Sequence, residues 1–416
     1  MSKGAVGLTA GYWPEDIYRY LAIPGISLDD GLIARPGKRT PNRPALIGDQ
    51  GSVTYKQLIA EADQLMKSVL ACLEGKGNRV AMAIAAPLPL ARALFGALKG
   101  RCVVFPVNLS TTPGALANQL QQFRPDLVIA DDAWRRTIGA GVDGVRIISF
   151  LELEETKSNV GPPRGRQDLG APVLALAMEG GGLAYHSHKS LLAGAVSWST
   201  FVPLKTEDLV LAAEPLYTWE GLYGLLPILF RGGTCLLGDL QNPEGLARGV
   251  VEHRPIYTIL SRPGARLLYQ SSHRVLVQAF RECLRGLFVS TTGPFTAIGR
   301  MRLKNLLGKP ALLAFGSAEA GPVFSSHPTW FLDSAVGIPV TNVDVWPLNP
   351  ASGNPLEVPW ETIEYGEVGV KSPMTAVDYQ SPEEKDRRVK GGWLRTKIVT
   401  TMDPNGLFYI QSKIAD

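Results

Sequence analysis

The sequence predicts an α/β protein made of two packed, doubly wound α/β subdomains and a small β-barrel-like subdomain. Three observations predict it. Short apolar runs alternate with segments of helical period through most of the chain, the succession of βαβ units. A Gly/Pro/Arg-rich stretch, Gly161-Pro162-Pro163-Arg164-Gly165-Arg166, interrupts that alternation, and a second α/β series follows. From about Val343 the pattern changes to short strands between Gly and Pro turns. Because 416 residues exceed what one core usually holds, the expected division is 1–340 for the α/β pair and 341–416 for the β-rich part.

From Tyr55 to Leu73, apolar residues at Leu58, Ile59, Ala62, Leu65, Val69 and Leu70 make one buried helical face. Arg79 to Ala85 and Val103 to Val107 are short apolar runs bounded by turn residues, which suits buried parallel strands. Leu90 to Leu98 reads as the crossover helix between them, and Leu127 to Ala130 and Val145 to Ile148 continue the series. Ala171 to Met178 is strand-like, and a helix-like segment begins at Ser190. The second series runs through Leu209 to Ala213, the helix-like Gly221 to Phe230, Thr234 to Leu237, Ile256 to Leu260, Phe288 to Thr291 and Ala311 to Phe315. Gly366 to Val370 and Gly406 to Ile410 are strands of the last part.

Composition narrows the function. A hydrophobic content of 45% with 19% charged residues is that of a globular protein with a substantial core. A net charge of +4 without a basic cluster interleaved with aromatics argues against nucleic-acid binding. Cys72, Cys102, Cys235 and Cys283 lie far apart in apolar or helical surroundings and read as reduced thiols. No signal-peptide core follows Met1, and no run is long enough to span a bilayer, so the default location is the cytoplasm.

The most informative stretch is Met178-Glu179-Gly180-Gly181-Gly182-Leu183-Ala184-Tyr185-His186-Ser187-His188. Glycines between a strand and a helix are a setting in which backbone amides cradle phosphate. This loop has no Ser or Thr among its glycines and no Lys directly after them, so Gly180, Gly181 and Gly182 offer only N–H groups. An ordinary tight turn accounts for the glycines equally well. Glu179 and His186 are candidates for acid–base work beside that loop, against a solvated turn carboxylate and a structural histidine. Five histidines give no metal-ligand spacing beyond His186-Ser187-His188, so no metal site is expected.

Thr40-Pro41-Asn42-Arg43-Pro44-Ala45-Leu46-Ile47, Val53-Thr54-Tyr55-Lys56-Gln57-Leu58, Asn78-Arg79-Val80-Ala81-Met82 and Trp393-Leu394-Arg395-Thr396 occur in this order. They resemble the landmarks of the AMP-forming adenylating enzymes, the superfamily of acyl-CoA synthetases, peptide-synthetase adenylation domains and luciferases. The resemblance runs from about Gly11 to Asp416, and Gly11-Tyr12-Trp13 resembles the opening of the aryl-acid-activating branch. It implies the same three-part plan, with acyl and nucleotide pockets at the junction. It also implies a mobile C-terminal domain beyond the hinge position, Asp416, carrying the lysine that bridges carboxylate and α-phosphate; that domain is expected to be absent.

Several positions depart from the resemblance in one direction. The segment expected to hold α-phosphate and magnesium reads Phe315-Gly316-Ser317-Ala318-Glu319: Glu319 remains, while Ala318 has no hydroxyl. Glu319 is either a functional carboxylate or a solvated one at a turn. Where an Asp would accept from the ribose, the chain has Ile398, and Lys413 replaces an Arg that reaches the same sugar. The acid-binding helix starts Tyr217-Thr218-Trp219, with Thr218 in place of His or Asn; Tyr217 and Trp219 are pocket residues or core aromatics. The resemblance places the acyl wall along Tyr217, Thr291-Thr292-Gly293 and Phe315-Gly316-Ser317, with Gly293 and Gly316 admitting an aromatic or alicyclic acid close to the backbone.

The expected function is an adenylating-enzyme fold with a degenerate ATP site, binding an acyl group or its thioester and acting without ATP in a biosynthetic pathway. No cofactor is expected: ATP and magnesium bind weakly or not at all, and coenzyme A or a carrier protein supplies the thioester. Two alternatives stand beside it, an ATP-dependent acid–CoA or acid–carrier-protein ligase needing a C-terminal domain, and a non-catalytic partner of a biosynthetic enzyme.

Overall fold

The computed structural model describes residues 18–414 apart from 140, 141, 143, 330 and 333, so Gly11-Tyr12-Trp13 and Asp416 lie outside the described residues. Its first sheet has seven strands. In spatial order these are Asp378–Tyr379, Leu183–Ser187, Pro172–Ala177, Val103–Pro106, Arg79–Ala83, Leu127–Ala130 and Arg146–Ile148. The last five run parallel, and all but the edge strand Arg146–Ile148 are buried on both faces over most of their length, which is why they read as unbroken apolar runs.

The second sheet has nine strands, ordered Ile338–Pro339, Gly321–Ser325, Ala311–Ser317, Gly286–Ser290, Tyr257–Leu260, Leu209–Ala212, Thr234–Leu237, Pro44–Gly48 and Gly51–Thr54. The third is a curled antiparallel sheet. Its long strand Trp393–Met402 pairs with Gly366–Lys371, Val389–Lys390 and Phe408–Lys413, and Asp344–Leu348 pairs with Gly366–Lys371.

Two features differ from the linear reading of the chain. Pro44–Gly48 and Gly51–Thr54 belong to the second sheet, Leu46 standing opposite Cys235. Both strands around the triple glycine belong to the first, so the second series begins at Leu209 rather than after the Gly/Pro/Arg-rich stretch. Asp378–Tyr379, from the far end of the sequence, also closes an edge of the first sheet, with Asp378 opposite Tyr185.

Helices fill the space between the two large sheets. Tyr55–Leu73 starts at a capping box: the Gln57 amide donates to the Thr54 hydroxyl at 3.3 Å, and the Thr54 amide to the Gln57 side chain at 2.8 Å. The Tyr55 hydroxyl then donates to the Gly233 carbonyl at 2.7 Å, fastening this helix to the second subdomain. His188–Phe201 packs on Trp219–Arg231, where the Trp198 ring meets Tyr223 and Phe288 edge-on at 6.5 and 5.3 Å. Cys72, Cys102 and Cys235 are buried and Cys283 half-buried, none in a disulfide; burial pushes the Cys102 thiol up to about 12. Among the described residues, no helix is long and apolar enough to cross a membrane.

Candidate functional site

A cleft of about 250 Å³ lies where the three sheets meet. The second sheet contributes the end of Ala311–Ser317 and the turn Ala318-Glu319-Ala320, which the Ser317 hydroxyl closes by accepting from the Ala320 amide at 3.1 Å. The third sheet contributes Thr396-Lys397-Ile398 and Lys413. Of the expected residues, Glu179, Tyr217, Thr218, Trp219, Thr292, Phe315, Gly316, Ser317, Ala318, Glu319, Ile398 and Lys413 all line this cleft.

Several of these have their chemistry already committed. Thr218 is the N-cap of Trp219–Arg231; its hydroxyl accepts from the Gly221 amide at 3.1 Å and donates to the Pro215 carbonyl at 2.9 Å. The Tyr217 and Ser110 hydroxyls are hydrogen-bonded at 3.2 Å, and burial raises the Tyr217 phenol. Gly316 does not leave its Cα face to a ligand, contrary to the expectation. A Cβ there would stand 2.6 Å from the Gly321 carbonyl oxygen and 3.0 Å from the Trp219 ring, so that glycine exists to seat the indole. Trp219 is thus both core aromatic and cleft wall.

Three expected residues do not face the cleft in the way the sequence indicates. Thr291 is buried, and its hydroxyl donates to the Gly293 carbonyl at 2.5 Å, forming the turn that ends Gly286–Ser290. Gly293 points its open side toward the Arg262 guanidinium, 3.5 Å from where a Cβ would be. His186 is buried and its Nε2 donates to the Ala318 carbonyl at 2.7 Å; burial lowers its pKa. It braces the turn and stays neutral rather than serving as an exposed base. His188 is likewise structural, its Nδ1 accepting from the Leu28 amide at 3.1 Å.

The glycine loop is also different in kind. Pro172–Ala177 and Leu183–Ser187 form an antiparallel hairpin, and the helix begins only at His188. The positive end of that helix is therefore separated from the glycines by a whole strand, while Ser381, the N-cap of the short helix Pro382–Arg388, lines the same groove as they do. Gly180, Gly181 and Gly182 have φ of 84°, 97° and 82°, a left-handed run that only glycine adopts freely. They open on an adjoining groove of about 790 Å³ that includes Arg387, Arg388, Lys390, Arg395 and Lys397. Beside them, Glu179 forms an ion pair with Lys413, not with His186.

Glu319 is not solvated at its turn. It is 8% exposed, its Oε2 accepts from Arg388 at 3.2 Å, and Arg388 also donates to Glu384 at 2.8 Å. Burial raises the Glu319 carboxyl, while the Arg388 charge opposes that rise. Ile398 is 1% exposed and stands opposite Lys413 in the strand pairing. Lys397 before it holds φ 58°, a left-handed conformation that favours glycine.

Sequence reasoning missed Arg388, Lys397 and Glu220. Glu220 lies on the cleft floor, 8% exposed, accepting from the Ser290 hydroxyl at 2.5 Å, and burial raises its carboxyl. Its place in the first turn of a helix hid it, because an acid there is ordinary. Arg388 ends Pro-Glu-Glu-Lys-Asp-Arg-Arg, a run that reads as a solvated helix. Among the described residues, no group of three His, Cys, Asp or Glu is placed to hold a metal.

Comparison with known proteins agrees with this architecture. A long-chain-fatty-acid–CoA ligase of Yersinia pestis is 28% identical over 50% of this chain and 37% of its own length. The corresponding ligase of Escherichia coli O6:H1 is 23% identical, with 91% of this chain and 75% of its own length matched. The o-succinylbenzoate coenzyme A synthetase of Bacillus subtilis, solved with ATP and magnesium ion, has a TM-score of 0.78 at 17% identity, covering 92% of this chain and 79% of that one. The chain thus spans about a third to four-fifths of these relatives. The family pattern described as AMP-binding enzyme matches residues 33–167 and 183–379, and the chain belongs to that adenylate-forming family.

Proposed function

We propose that this chain binds a small acyl group in the cleft, an aromatic or alicyclic acid or its thioester, and acts on it without ATP. The observation that carries the reading is Ile398, buried at the position where the resemblance requires a ribose-binding carboxylate. Losing that pair of charge-assisted bonds forfeits roughly 1.5–3 kcal/mol for each bond. Magnesium fits these residues poorly. Glu319, the carboxylate that the resemblance reserves for the ion, is already paired with Arg388, Glu179 is paired with Lys413, and neither Ala318 nor Gly180–Gly182 offers a hydroxyl.

What remains suits an acyl ligand. Trp219, Phe315 and Ile398 give apolar walls that exclude water, and 250 Å³ admits a ring rather than a long chain. Lys413 borders the cleft in an ion pair with Glu179, so a bound carboxylate would share that ammonium with Glu179. In this reading Gly180, Gly181, Gly182, Ala318, Ile398 and Lys413 are a vestigial nucleotide site. The thioester comes from coenzyme A or a carrier protein, in acyl transfer within a biosynthetic pathway.

A second reading is an AMP-forming ligase completed by a C-terminal domain. It is favoured by the family membership, while of the three left-handed glycines Gly181 already donates its amide to the Met178 carbonyl at 3.1 Å. Benzoate-dependent exchange of labelled pyrophosphate into ATP, with the C-terminal domain of a relative supplied in trans, separates the two. We expect no exchange, and calorimetric binding of benzoate or benzoyl-coenzyme A without nucleotide. Exchange at the rate of an ordinary relative establishes the ligase.

A further inference from the structure

The chain's net charge of +4 conceals a local excess. Between Arg262 and Lys309 stand nine of its 42 lysines and arginines and one of its 38 acids, Glu282. Part of that charge is spent inside the fold: Arg262 and Arg300 donate to the Pro294 and Phe295 carbonyls, and Lys309 to those of Phe280 and Leu284. The other six, Arg266, Arg274, Arg281, Arg285, Arg302 and Lys304, are exposed, and none of the nine is in an ion pair among the described residues. Like charges gathered in this way repel one another, so the excess is a cost to the protein alone.

The topology brings them to one face. In the second sheet Leu211 and Leu236 point away from Val210 and Cys235, which belong to the core shared with the first subdomain. On that outer side Leu246, Phe280 and Leu303 pack into one core, one from each of the helices Pro243–His253, Arg274–Cys283 and Ala297–Leu307. The outward sides of the last two helices are left to solvent. Ile298, Met301 and Arg302 stand three and four residues apart on one side of Ala297–Leu307, and Ile298 and Met301 are 60% and 57% exposed. The Arg281 guanidinium of the neighbouring helix lies 3.6 Å from the place of a Cβ at Gly308, where Ala297–Leu307 ends. Cations and large apolar side chains therefore share one surface.

We propose that this helical layer docks on an anionic membrane surface, its arginines on lipid phosphates and Ile298 and Met301 among the headgroups. A guanidinium fork matches phosphate, and each cation held near anionic lipid adds to the attraction. Two apolar side chains amid those cations gain nothing from a nucleic-acid backbone, whereas the boundary between headgroups and acyl chains buries them. None of these residues lines the acyl cleft, so the proposal stands apart from the acyl reading.

Co-flotation with vesicles of phosphatidylcholine alone, and with phosphatidylglycerol added in equal part, tests it. We expect at least tenfold tighter binding to the anionic vesicles, weakened by salt. Arg281→Glu with Arg302→Glu should abolish that preference. Lys56→Glu with Lys157→Glu, the same change of net charge at exposed positions elsewhere, should leave most of it. Ile298→Ser with Met301→Ser should weaken vesicle binding several-fold at unchanged melting temperature. Equal binding to both vesicles, survival of the preference in the arginine pair, equal loss in the lysine pair, or indifference to the serine pair would each overturn the proposal. Binding to a DNA duplex or to an acidic protein without binding to anionic vesicles would assign the face to that partner and overturn it as well.

Discussion

The Arg388 guanidinium lies 3.2 Å from the Glu319 carboxylate, on side chains 12% and 10% exposed. The carboxylate that the family resemblance reserves for magnesium is therefore held by the chain's own cation. Arg388→Met should leave Glu319 buried with only the Tyr379 hydroxyl and the Lys397 charge to favour its ionised form, and cost about 3 kcal/mol at pH 8. Without the guanidinium, the folded-state pKa of Glu319 rises further above its unfolded value. The folded state then binds the extra proton, so the loss should shrink as pH falls toward 5. Urea unfolding of Arg388→Met and of Arg388→Met with Glu319→Gln at both pH values checks this; the double variant should recover most of the loss.

Ile398→Asp restores the ribose acceptor in name only. The new carboxylate would be buried across from Lys413, which remains paired with Glu179. Nucleotide affinity measured by calorimetry should rise by no more than about tenfold, worth 1.4 kcal/mol, with no adenylation. Turnover from this single change would mean that the glycine loop and Ala318 cost little.

Filling the acyl cleft should be done from Thr292, not Gly316. Because a Cβ at Gly316 collides with the Gly321 carbonyl and Trp219, even Gly316→Ala should lower stability, by roughly 1–3 kcal/mol. Thr292→Trp should keep the melting temperature near that of the parent and abolish benzoate binding. Persistence of that binding would move the acyl site elsewhere.

Glu214 gives a pH signature with a definite sign. Its folded-state pKa of about 7 lies above the unfolded value, so the folded protein binds more protons and loses stability as pH rises from about 4.5 to about 7. The loss amounts to at most about 3 kcal/mol. Glu214→Gln keeps the acceptor for Ser261 but removes the titration. It should be more stable than the parent at pH 8 and nearly equal at pH 5, as read by denaturant midpoints.

The strands of both large sheets were legible because burial on two faces leaves continuous apolar runs such as Leu127–Ala130 and Thr234–Leu237. The sheet to which Pro44–Gly48 belongs was not, since its partner is almost two hundred residues away and pairing at that distance leaves no local period. The acyl wall was located by resemblance, and most of it converges on one cleft. What the side chains do there was less legible. Thr218 as a cap, His186 as a brace and Thr291 as a turn former use hydrogen bonds that a motif cannot display. Arg388 and Glu220 were invisible because a charge in a helix turn has an adequate local explanation.

The interleaving of the sheets makes the molecule difficult to divide. Pro44–Gly48 and Gly51–Thr54 cover one flank of the second sheet, and Asp378–Tyr379 covers one flank of the first. A fragment starting after the Gly/Pro/Arg-rich stretch would strip Thr234–Leu237 of its neighbour and bare a hydrophobic edge that invites self-association. Hydrogen exchange should accordingly show amides of Leu127–Ala130 and Gly286–Ser290 opening with one free energy, as a single foldon, rather than as two lobes that part at the cleft.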